Sequence, residues 1–121
     1  MKIAVSAEEP DLQALVSDDF GHAAFFVVYD TEDGSWEAFP NEAPEAGVGA
    51  GIMAAEMVIK LAPKVLLTGG IGHHGIKKLR SADIKVVQDE GGTVWSSIQK
   101  YIKKHPECKA AEAPARTAPP E

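Results

Sequence analysis

A chain of 121 residues with 45% hydrophobic and 25% charged content is long enough for one domain with its own core, needing neither disulfides nor a structural metal. The formal net charge of −6 and a pI near 5.2 argue against a general nucleic-acid binder, which gains affinity by neutralising phosphates with Lys and Arg. The single cysteine, Cys108, excludes a disulfide and a cysteine-ligated zinc or iron–sulfur centre within one chain.

Lys2 to Ser6 alternates in polarity and predicts a first strand, β1, ending near Ser6. A loop follows, in which Leu12, Leu15 and Val16 have the spacing of one helical turn before Ser17-Asp18-Asp19-Phe20-Gly21 stops it. The aromatic and β-branched run from His22 through Tyr29 predicts a buried strand, β2, closed by a hairpin at Asp33-Gly34. Ser35 to Phe39 is then β3, antiparallel to β2, with Trp36 and Glu37 on opposite faces. The glycine-rich stretch from Pro40 to Gly51 is long for a simple connection, and such loops are often functional.

Ile52 to Ala62 predicts a helix, with Ile52, Ala55, Ile59 and Ala62 on one face and a Glu56–Lys60 pair in the favourable order. Val65-Leu66-Leu67 is apolar throughout, as expected of a strand covered on both faces, and Ile76 and Leu79 anchor a short helix after it. Ile84 to Val87 is a fifth strand. Thr93 is a candidate N-cap for a last helix, with Val94, Ile98, Tyr101 and Ile102 as its apolar stripe. Residues 1–105 are therefore expected to be the folded domain, and 106–121, rich in Ala, Pro and Glu, a disordered tail. No apolar run is long enough for a signal peptide or a membrane span, so a cytoplasmic protein without a membrane partner is expected.

This order of elements predicts an α/β fold with a five-stranded mixed sheet, antiparallel over β1–β3 and parallel thereafter, and ligands beyond the strand C-termini. That edge carries Ser6 and the segment Thr68–His74. There a strand runs through Gly69, Gly70 and Gly72 into a helix bearing Lys77, Lys78 and Arg80. Exposed backbone N–H groups, a helix N-terminus and nearby cations form a receptor for a small anion.

Two binding chemistries compete at this loop. Gly70-x-Gly72-x-x-Gly75 matches the dinucleotide fingerprint, with Asp89 placed where a ribose-binding acid would lie, but only one strand and one helix remain to hold a second nucleotide. His73 and His74 can donate to an anion or ligate a metal, although neighbours on a helix diverge by about 100° and do not easily meet one small ion. His22 joins them if its strand end faces the glycine loop. The strands Lys2–Ser6 and Val65–Leu67 lead to Ser6 and Thr68, where two-metal phosphoryl cleavage would need carboxylates, and no nucleophile–base pair is apparent.

The opening strand Lys2–Val5, Val16-Ser17, Phe20-Gly21-His22-Ala23, the run Phe25–Asp30, Gly49, Gly51, Gly70-Ile71-Gly72, Leu79 and Ile84-Lys85-Val86 together resemble the dinitrogenase iron–molybdenum cofactor biosynthesis family over about residues 1–104. The resemblance implies a ribonuclease-H-like topology without the catalytic acids. It also implies a carrier, not an enzyme, for an anionic molybdenum–copper sulfide cluster or an iron–molybdenum cofactor precursor held noncovalently. Cofactor-assembly or division-related proteins are the partners it suggests. The residues expected to line the site, from their place at the strand ends and in the glycine loops, are Ser6, His22, Gly49, Gly51, Thr68, Gly70, Ile71, Gly72, His73 and His74. Asp19 and His22 depart from the family pattern, in which histidine and arginine are common at those positions, and His73 stands where smaller residues are usual.

Overall fold

Alternation along β1, Lys2–Ala7, sends Ile3, Val5 and Ala7 to one side of a sheet and Ala4 and Ser6 to the other, and every one of these five is buried. A strand covered on both faces belongs at the centre. In the computed structural model, which describes residues 1–42 and 49–105, β1 is the middle strand of five in the order β3-β2-β1-β4-β5. β2, Phe25–Asp30, pairs antiparallel with β1 and with β3, Trp36–Pro40. β4, Val65–Leu67, and β5, Lys85–Val87, extend the other half in parallel. The mixed single-domain sheet is the one expected.

Two layers cover it. The helix α3, Val94–Lys104, packs Val94, Ile98 and Tyr101 on Ile3, Val5, Val27 and Leu67, joined by Leu12 and Val16. On the other face α1, Ala50–Leu61, and α2, His73–Ser81, lay Ala54, Ala55, Val58 and Leu79 over Ala4, Phe26 and Leu66. The β2–β3 hairpin turns at Gly34, whose φ of +76° is available to glycine without a Cβ clash. Thr93 caps α3 as expected, its hydroxyl accepting from Ser96 N–H at 3.1 Å while Ser96 Oγ accepts from Thr93 N–H.

Four local readings change. Leu12, Leu15 and Val16 do not make a helical turn: bridges Ala7–Val16 and Leu15–Thr93 hold the segment extended, so Leu12 and Val16 point into the core and Leu15 lies 58% exposed. His22 is not in β2. It ends a 3-10 turn, Phe20–His22, nucleated by the Asp19 side chain accepting from Gly21 N–H at 3.1 Å, and β2 starts only at Phe25. α1 begins at Ala50 and buries Ala50, Ala54, Ala55 and Val58, because small side chains let it lie close to Phe20 and the sheet, while Ile52 stays 39% exposed. Glu56 reaches across to Lys78 of α2 at 3.5 Å instead of pairing with Lys60. The expected tail and most of the Pro40–Gly51 loop, residues 43–48 and 106–121, lie outside the described residues.

Candidate functional site

Beyond the C-terminal ends of β1 and β4, three chain segments meet: the Ser17–His22 turn, the start of α1 and the Gly69–Gly75 loop. Glycine lets them approach so closely. A Cβ on Gly69 would lie 2.7 Å from Ser17 O and 2.8 Å from Asp18 Cα, and one on Gly70 would lie 2.9 Å from Asp18 O. Phe20 N–H donates to Gly70 O at 2.8 Å and Gly69 N–H to Ser17 O at 3.0 Å, closing the seam. A Cβ on Gly21 would lie 2.9 Å from Gly51 N, so the 3-10 turn rests directly on the α1 backbone. Gly75 faces the Ile71 side chain at 3.2 Å and Gly51 O at 3.5 Å, which brings α2 against the same point. Among the described residues, a Cβ on Gly49, Gly51 or Gly72 would meet nothing within 4 Å.

The consequence is electrostatic. α1 and α2 both begin at glycine, at Gly49 and Gly72, with no side-chain cap and no acidic residue in the first turn. The first turn of any α-helix has N–H groups without an intrahelical acceptor, carrying about half a positive charge. Here two such ends converge. A Cβ on Gly75, in the first turn of α2, would lie 3.5 Å from the carbonyl oxygen of Gly51, in the first turn of α1.

The residues expected at the site fall into three groups. Gly49, Gly51, Ile71, Gly72, His73 and His74 surround the paired helix ends; both histidine rings are exposed, their centroids 5.8 Å apart and nearly edge to face. His22 and Gly70 form the adjoining wall. His22 Nδ1 lies 2.8 Å from Asp19 Oδ2, and since an ionised carboxylate only accepts, Nδ1 carries the proton of that bond. Asp19 is thereby occupied by a cap and an imidazole instead of opposing an incoming anion. Ser6 and Thr68 lie beneath, fully buried, their hydroxyls 2.8 Å apart and turned to each other. They are a floor more than a lining.

The basic residues of α2 are farther off than the sequence suggested. Lys77 and Arg80 are exposed on the middle and last turns, and Lys78 is engaged by Glu56. One supporting residue escaped the sequence reading: buried Asn41 donates from Nδ2 to Gly21 O at 3.1 Å and Ala23 O at 2.9 Å, clamping the turn that bears His22. The only signal was an Asn directly after a strand-ending Pro40. Among the described residues no group of three His, Cys, Asp or Glu side chains is placed to hold a metal ion, and no helix is long and apolar enough to cross a membrane.

Comparison with known proteins matches residues 1–104 to the family described as dinitrogenase iron-molybdenum cofactor. The chain belongs to that family. Among solved structures, the apo orange protein from Desulfovibrio gigas is 43% identical, with a TM-score of 0.82, over 85% of this chain and 88% of that one. A putative NifB protein from Thermotoga, assigned to the DUF35 family, is 30% identical with a TM-score of 0.73, over 84% of this chain and 87% of its own. No curated protein matches the sequence. The family likeness thus covers both sheet halves, all three helices and every segment of the glycine seam.

Proposed function

We propose that the chain is a non-enzymatic carrier of an anionic molybdenum-containing metal–sulfide cluster, received without covalent attachment where the N-termini of α1 and α2 converge. The observation that carries this reading is the pair of glycine-started, side-chain-uncapped helix ends in contact, beside a third helix that is fully capped. Membership of an iron–molybdenum cofactor family and the likeness to an orange protein support the choice of cargo.

The donor set suits a sulfide anion. Backbone N–H groups of the two first turns and the rings of His73 and His74 supply hydrogen bonds, while His22, whose Nδ1–H is given to Asp19, donates from Nε2 only as the imidazolium. The open glycines Gly49, Gly51 and Gly72 admit a bulky ligand close to the backbone, and half-buried Ile71 offers an apolar surface to polarisable sulfur. A cluster that brings its own sulfides needs no cysteine ligand, in keeping with one cysteine, Cys108, in the whole chain. Ser6 and Thr68 act from below by fixing the strand ends that carry the loops. The cargo is a molybdenum–copper sulfide cluster or an iron–molybdenum cofactor precursor.

A dinucleotide reading of Gly70-x-Gly72-x-x-Gly75 has less support. Gly70 turns its open side to Asp18 O and Gly75 to Ile71, so only Gly72 of the three presents bare backbone outward. Apo-protein carrying Cys108→Ser, mixed with tetrathiomolybdate and Cu(I), should yield a visible chromophore that co-elutes with the protein at fixed stoichiometry. Gly51→Val and Gly72→Val should abolish it while leaving the fold intact. Colour that separates from the protein on gel filtration would overturn the proposal, and stabilisation by NAD or ATP alone would favour the nucleotide reading.

A further inference from the structure

Two of the three methionines of the chain, Met53 and Met57, line one groove of about 290 Å³ between α1 and the β3 edge. They are four residues apart on one helix, a spacing that places side chains on the same face with Cβ atoms roughly 5–6 Å apart. Phe39 and Leu61 form the apolar wall, and Glu42 and Glu56 add carboxylates at its edge. Met57 is half-buried and packs on the core, whereas Met53 is 48% exposed and contributes little to packing.

We infer that Met53 and Met57 form a thioether site for a soft monovalent cation of the Cu(I) or Ag(I) class. Thioether sulfur is a poor ligand for hard or strongly hydrated ions and selects Cu(I) among the first-row metals. Glu42 supplies a carboxylate at the rim that draws a cation, Glu56 being already paired with Lys78 at 3.5 Å. Among the described lining residues Lys60 is the cationic one, about two turns along α1 from Met53. The unbranched methionine side chains can close on an ion from a groove that is open when empty. The site does not depend on the cluster reading: no histidine is among the described residues that line the groove, and it needs neither molybdenum nor sulfide.

The test uses full-length protein carrying Cys108→Ser, labelled with methyl-13C methionine and titrated with silver nitrate in chloride-free buffer. The Met53 and Met57 methyl signals should shift together and saturate near one equivalent. Met1, whose amino group is held by Thr31 at 3.0 Å on the opposite layer, is the internal control and should not move. Met53→Leu with Met57→Leu, which nearly conserves volume, should abolish this first equivalent. Met53→Leu alone, at an exposed position, should weaken it by at least roughly tenfold, as ligand-shell losses do, and guards against a misfolded double variant. The inference is overturned if the His73 and His74 ring signals respond first while the methyls stay still, or if the double variant binds silver with unchanged affinity. Loss of the coloured thiomolybdate complex with retained silver binding would count against the cluster reading alone.

Discussion

Gly21→Ala tests whether the seam between the 3-10 turn and α1 is as tight as the geometry requires. The new methyl would lie 2.9 Å from Gly51 N, 3.1 Å from Gly51 Cα and 3.2 Å from Ala50 C, all backbone atoms that no rotamer change can move aside. Overpacking of this kind costs about 1–3 kcal/mol. Ala also restricts the unfolded chain relative to Gly, returning about 0.4–1 kcal/mol. A net loss of about 1–2 kcal/mol remains, and for a domain near 100 residues each kcal/mol lowers the melting temperature by about 4–8 °C. The melting temperature should therefore fall by about 4–16 °C. The reciprocal change supplies the contrast: a Cβ on Gly51 meets nothing within 4 Å, so Gly51→Ala should keep or raise stability by up to about 1 kcal/mol through helix propensity. A Gly21→Ala protein that melts at or above the parent temperature would refute the reasoning. So would a Gly51→Ala protein that loses as much as Gly21→Ala, since it would mean that the packing is not directional.

Thr68→Val leaves the buried Ser6 hydroxyl without its 2.8 Å partner and should cost about 1–3 kcal/mol in urea unfolding, while adding Ser6→Ala should recover part of that loss. Thr93→Ala removes the capping box of α3 and should cost about 1 kcal/mol without reducing uptake of the proposed cargo, measured as protein-bound colour. Burial first, then the charges of Asp30 and Asp33, hold the Tyr29 phenol above its ordinary value of 10.0. Its contribution to stability is complete below pH 10.0 and is lost as pH rises through the folded value, so urea midpoints should drop as pH is raised above 10.0, and drop less in Tyr29→Phe.

What sequence makes legible here is whatever depends on neighbours along the chain. Alternation in Lys2–Ala7, the apolar run of β4, Gly34 in its hairpin and Thr93 before α3 are local signals, and the structure agrees with them. Errors arise where a distant segment decides. Leu12 and Val16 have helical spacing, yet both are buried by an extended chain because Val16 N–H finds Gly92 O and Ser17 N–H finds Ser6 O. Apolarity alone favoured Ile52 and Ile59 as the buried face of α1, but the depth of contact with Phe20 and the sheet selects Ala54 and Ala55. The glycine loop divides in the same way: its richness in glycine was visible, but not that Gly69 and Gly70 serve contact with Ser17 and Asp18 while Gly72 is left bare. Only Asp19 and His22, three apart and now bonded at 2.8 Å, were within reach of a closer local reading.

The three helices show why the bare ends are best understood as functional on the proposed reading. A Ser, Thr, Asp or Asn N-cap is worth about 1 kcal/mol over Ala, and a glycine retains most of that only by leaving the first-turn N–H groups to other partners. α3 takes the side-chain solution in full, with Thr93 and Ser96 reciprocally bonded. α1 and α2 both forgo it where their N-termini come together, and neither puts a carboxylate in its first turn. An anion bound where two helix N-termini come together is favoured by both dipoles. A ligand that binds only the folded state stabilises it, so on the proposed reading thermal stability is a readout of cargo. A thiomolybdate-based cluster should raise the melting temperature, with the gain greatly reduced in Gly51→Val, where the entry to the paired ends is blocked but α1 is retained.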